Sequence, residues 1–117
     1  MSKSQRDKGA RFERQICAVI REVTGYNALR NLRQTRDGGF DIAFGKFRIE
    51  CKARKALSIY AFLDQCQAAC KPGDIPVVIA KADRRSPVVI MSLEDLLPIL
   101  AGELSALDYE DANDVDA

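Results

Sequence analysis

Two runs of strict alternation flank the dipeptide Gly45-Lys46, and together they commit the middle of the chain to a β-hairpin. In the second run Phe47, Ile49, Cys51 and Ala53 form an apolar set, and Arg48, Glu50, Lys52 and Arg54 a charged one. In the first, Phe40, Ile42 and Phe44 match the apolar side. A period of two marks half-buried strands, and a glycine at the turn suits a two-residue loop. Such a loop pairs Phe44 with Phe47, and counting back along the ladder sets Asp41 opposite Glu50. Directly opposed side chains lie roughly 4.5–5.5 Å apart at Cβ, where like charges destabilise a sheet unless something positive stands between them. Lys52, two residues past Glu50, projects from the same face. Two readings are open: a solvated charged face with surface ion pairs, or a site where Asp41 and Glu50 hold a divalent cation beside the Lys52 ammonium.

The distribution of charge favours a site for an anion. Residues 1–55 hold 14 Lys/Arg against 6 Asp/Glu, whereas residues 56–117 hold 4 against 11. The basic half carries the hairpin, which suits a polyanionic substrate held beside a cation. A chain of 117 residues with 47% apolar content is long enough for one domain with a real core. From Glu103 onward there are six acids and no Lys or Arg, so residues 1–102 are expected to form the domain and 103–117 a disordered acidic tail.

Histidine is absent, which removes Ser-His and Cys-His nucleophile systems and the commonest general base. The cysteines, at positions 17, 51, 66 and 70, form no CxxC pair, so neither structural zinc nor disulfides are expected. Cys51, Cys66 and Cys70 are expected to pack as small hydrophobes. With no membrane span or signal peptide visible, the expected location is a reducing cytoplasm, the host's if the source is viral.

Residues 1–7 read as a loose polar lead. From about Lys8 to Thr24, Phe12, Ile16, Val19, Ile20 and Val23 recur at helical spacing, and Gly25 is a natural stop. Docked by that face, the helix leaves Arg11, Arg14 and Arg21 toward water. Glu13 flanks the stripe, and two readings are open: an ordinary surface acid, which the spacing alone favours, or an acid held near the edge of the hairpin site. A short strand is expected over Tyr26–Leu32, then a basic loop, 33–39, leading into Asp41. Arg30, Arg33 and Arg36 are candidate phosphate contacts. Ser58 reads as the N-cap of a helix to about Cys70, ended by Pro72-Gly73. Ile75–Ala80 reads as a central strand and Val88–Met91 as another. Ser92 and Asp95 then cap a short final helix disturbed at Pro98. Alternating strands and helices make the fold class α/β.

An early helix carrying Glu13, a hairpin carrying Asp41 and then Glu50-x-Lys52, a crossover helix and further strands together resemble the PD-(D/E)xK nuclease superfamily. Within it, Lys8-Gly9-Ala10-Arg11-Phe12-Glu13-Arg14 is similar to the Lys-Gly-x-x-x-Glu-Arg opening of archaeal Holliday junction resolvases, and Gly25-Tyr26 followed by Arg30 to their Gly-aromatic and Arg. The resemblance spans roughly residues 8–100 and is strongest through Lys52. Phe40 stands where the superfamily's name has proline. The resemblance implies a restriction-endonuclease-like core: a mixed central sheet with the active site on an antiparallel hairpin, flanked by helices. It implies Mg²⁺-dependent phosphodiester hydrolysis, with Mn²⁺ as substitute, by Asp41, Glu50 and the Cys51 carbonyl as ligands, Lys52 as catalytic cation and Glu13 in the outer shell or at a second metal. It further implies a homodimer acting on branched DNA, gripped by Lys8, Arg11, Arg14, Arg30, Arg33, Arg36, Arg54, Lys55 and Lys81. Another nuclease substrate, linear, flap or single-stranded, and a weakly active DNA-binding module remain open.

Overall fold

Gly45 opens the hairpin turn at φ 57, a left-handed value that an L side chain adopts only under strain. Phe44 faces Phe47 across it, followed by Ala43 with Arg48 and Ile42 with Ile49. The computed structural model describes residues 2–32 and 39–106. Their elements are α1 (Lys3–Thr24), β1 (Leu29–Arg30), β2 (Ile42–Phe44), β3 (Phe47–Arg54), α2 (Ile59–Ala68), β4 (Ile75–Ala82), β5 (Val88–Ile90) and α3 (Leu93–Ala106). The five strands form one sheet in the order β1-β2-β3-β4-β5. Only the β3–β4 pair is parallel, and α2 makes the crossover between those strands, as parallel pairing requires.

The sheet is covered on both sides, so the expected α/β architecture of a mixed sheet carrying a hairpin and flanked by helices is present. On one face Phe12 and Ile16 of α1 pack against Ile42, Ile49, Cys51, Ala53 and Val77. On the other, Cys66 of α2 packs against Val78 and Ala80, with Leu57, Phe62 and Leu63 around them. The fully buried Cys66 thiol donates to the carbonyls of Arg48 and Val77, which fits its reading as a small core residue.

Several local expectations are corrected. The lead is not loose: α1 starts at Lys3, because Ser2 and Gln5 form a reciprocal capping box that satisfies backbone N–H groups at the helix start. Its stop is as expected, Gly25 at φ 79 donating to the Arg21 carbonyl. The docking face is shorter than its sequence stripe, since Val19 and Val23 are 54% and 79% exposed. The strand expected over Tyr26–Leu32 narrows to Leu29–Arg30, where β2 offers a partner. Ser58 precedes α2 without a side-chain cap bond. Pro98 lies inside α3 and does not end it, and the helix continues past Glu103 to Ala106. The rest of the acidic tail, 107–117, lies outside the described residues, as do Arg33 and Arg36.

The largest correction concerns β3. Expected to be half-buried, it is buried from Ile49 through Ala53 without a break. Its apolar residues meet α1 and its charged residues lie beneath α2, so Glu50 and Lys52 are taken out of water.

Candidate active site

Strand alternation sends Glu50 and Lys52 to one face of β3, and both are buried, at 3% and 8% exposed. The Lys52 Nζ is 3.2 Å from Glu50 Oε1 and 5.5 Å from the centre of the Phe62 ring on α2. Carboxylate and ring face thus hold one ammonium from two directions. The other oxygen, Glu50 Oε2, is buried with no hydrogen-bond partner among the described residues.

Asp41 departs from the ladder that the sequence implied. Regular pairing ends at Ile42 with Ile49. The Asp41 N–H donates to the Ile49 carbonyl at 2.9 Å, while its own carbonyl accepts from the Asn31 N–H at 2.7 Å on the opposite side. In a regular strand both groups of a residue point the same way, so Asp41 is rotated as in a β-bulge, a device that re-aims a side chain. Its Oδ2 accepts from the Cys51 N–H at 2.7 Å. Asp41 therefore caps the edge of β3 where β2 has ended, and it is 5% exposed. Alternation points the Cys51 carbonyl out of that same edge.

Glu13 reaches the cluster from α1. Arg30 Nη2 stands 3.6 Å from its Oε1, and the Arg30 Nε is buried without a hydrogen-bond partner among the described residues. Burial and then the Asp41 carboxylate push the Glu13 carboxyl up, with Arg30 and Arg14 opposing them. Glu50 is pushed further, to about 7, first by burial and then by Asp41, against the pull of Lys52. Three carboxyls therefore feel one another across a buried site.

The burial of Glu50 has a measurable consequence. An unfolded Glu50 titrates near 4.5, so between there and about 7 the folded state keeps a proton that the unfolded state has released. Stability from this group is full below the lower value and falls as pH rises through the upper one. Metal-free protein should lose on the order of 2 kcal/mol between pH 5 and pH 8, and Glu50→Gln should flatten most of that slope. Denaturant melts at both pH values check this; equal slopes in the two proteins would refute it.

The structure thus brings Glu13, Asp41, Glu50, Lys52 and Arg30 together. Of the other expected DNA contacts, it sets those among the described residues elsewhere. Arg11 and Arg14 are exposed on α1, Arg54 and Lys55 lie at the end of β3, and Lys81 opposes Ala53 near the end of β4. Lys8 is paired with Asp83 at 2.9 Å. Phe62 was legible only as an apolar helix residue, because nothing in its spacing says that it roofs a lysine.

The donor set fits a hard divalent cation: Asp41 at the edge of β3 and Glu50 on its face are both buried acids, and one Glu50 oxygen is buried and unpaired among the described residues. Among the described residues no three acidic, thiol or imidazole groups form a ready-made metal cage. Mg²⁺ keeps several waters and needs none. Among those residues, too, no helix is long and apolar enough to cross a membrane.

A family model described as phage putative PDDEXK endonuclease matches residues 4–113. No curated protein and no solved structure matches the chain. With a match over nearly its whole length, and with Asp41, Glu50 and Lys52 gathered on the hairpin, the chain belongs to this PDDEXK endonuclease family and so to the PD-(D/E)xK nuclease superfamily.

Proposed function

We propose that the protein is a Mg²⁺-dependent endodeoxyribonuclease that hydrolyses phosphodiester bonds in branched DNA, as Holliday junction resolvases do, and that it works as a homodimer in a host cytoplasm. The observation that carries the nuclease reading is the joint burial of Asp41, Glu50 and Lys52 on one hairpin. A solvated charged face would leave them wet, and burying charge is costly unless it is paired or used.

Asp41, Glu50 and the Cys51 carbonyl would hold Mg²⁺, or Mn²⁺ in its place, with Glu13 acting through the outer shell or at a second ion. The ion supplies a bound water of lowered pKa and charge neutralisation at phosphorus. Lys52, held by Glu50 and Phe62, donates to the attacking water or to a phosphate oxygen as negative charge builds. Arg30, held by Glu13, offers its guanidinium to the same phosphate.

The preference for branches rests on the resemblance of Lys8–Arg14 and on the basic half of the chain. The dimer reading draws support from large apolar side chains exposed on edge strand β5 and on α3: Val88, Val89, Leu93, Leu97 and Leu100. The family match carries endonuclease without junction, which favours a linear, flap or single-stranded substrate as the second reading. Cleavage assayed on all four substrates should require Mg²⁺ or Mn²⁺, stop with chelator and fail with Ca²⁺, whose looser coordination does not arrange the attack. Undiminished cleavage in excess chelator refutes the metal mechanism. Equal use of junction and linear duplex refutes the resolvase assignment alone.

A further inference from the structure

Past Lys52, β3 leaves the carboxylates and runs into a second concentration of charge. A surface cavity of about 290 Å³ lies there, lined by Gln5, Lys8, Ala53, Arg54 and Lys55. No acid lines it. Asp83, just outside, accepts the Lys8 ammonium at 2.9 Å, and Lys81 and Lys55 stand near enough to help hold its carboxyl below the usual range. Three lysines therefore share one exposed carboxylate, and Arg54 adds a fourth cation to the lining, which leaves the cavity positive.

Two of the lining residues are fixed by local bonds. Gln5 Oε1 accepts from the Ser2 N–H, so the capping box that starts α1 also sets one wall of the cavity. Arg54 donates to its neighbour's carbonyl, that of Ala53. Cations gathered around a preformed hollow suit a compact, multiply charged anion.

We propose that this cavity is a phosphate subsite, separate from the carboxylate site, which grips the substrate backbone at a set distance from the scissile bond. It rests on the nuclease reading. Four strand residues from Glu50 to Arg54 span about 13 Å, close to the rise of about four nucleotides along one strand of B-form DNA. Asp83 occupies Lys8 until phosphate displaces it, so the acid tunes affinity downward.

Two measurements on the full chain test this. In an NMR titration, inorganic phosphate should shift the backbone amides of Gln5, Lys8, Arg54 and Lys55 saturably. Lys55→Ala should weaken that binding about threefold to tenfold and Asp83→Asn tighten it about threefold, as expected for partly exposed charges. In Mg²⁺, DNA bearing one uncharged methylphosphonate linkage should lose cuts at that linkage and again at one fixed offset. Lys55→Ala should erase only the offset loss. Unshifted amides overturn the anion site. Shifted amides without an offset loss overturn its role in gripping substrate. A chain that binds phosphate but cuts no DNA overturns the nuclease reading and, with it, the substrate role of the cavity.

Discussion

Asp41→Asn, Glu50→Gln or Lys52→Met should each lower DNA cleavage by about a thousandfold or more while leaving DNA binding within a few fold of the parent, since each removes a group aimed at the reacting centre. Asp41→Asn keeps an oxygen for the Cys51 N–H, so the bulge survives while the ligand's charge is lost. Methionine at Lys52 keeps an unbranched apolar stem under Phe62 and removes only the cation; alanine would add a cavity to the effect. Binding without metal is the control, because on the proposed reading most of the grip on phosphate comes from arginines and lysines that these variants leave in place. For the carboxylate changes, metal-free binding should rise slightly as negative charge near the phosphate is removed. Wild-type turnover in any one of the three variants, measured with Mg²⁺ at saturating DNA, would falsify the site.

Phe12→Ala should destabilise the fold by about 3–5 kcal/mol, the usual cost of emptying a buried aromatic position. Phe12 is 4% exposed and joins α1 to Ile42, Ile49, Cys51 and Val77. A domain of this size has only about 5–15 kcal/mol in hand, so the melting point should drop by roughly 15–25 °C. The position matters for function as well as stability. Phe12 anchors the turn of α1 that presents Glu13 to Arg30 and Asp41, so activity should fall in the variant even at temperatures where it remains folded. Phe12→Leu keeps most of the volume and should recover most of both. A melting point within about 3 °C of the parent for Phe12→Ala would mean that α1 is not held by this contact.

The hairpin was legible because its determinants are local. A glycine that can take positive φ sets the turn, and a period of two then sorts Ile49, Cys51 and Ala53 from Glu50 and Lys52 without reference to the rest of the chain. The Ser2-x-x-Gln5 box was equally local, yet it stands in a segment with no apolar stripe, so hydrophobic periodicity passed over it. Burial is different, because it belongs to whatever packs above a residue. A strand with one charged face reads as half-wet until the topology lays α2 across that face, and only then do Glu50 and Lys52 become a desolvated pair under Phe62.

The sequence by itself determined the residue types, the register of β2 on β3 and the face shared by Glu50 and Lys52, since backbone geometry and turn chemistry act over a few residues. Tertiary structure alone decided that Asp41 leaves the ladder in a bulge to bond the Cys51 N–H, that Glu13 meets Arg30, and that Lys8 meets Asp83 beside Lys55. Those encounters join segments up to 75 positions apart, and the distance between such groups is set by how the helices dock on the sheet.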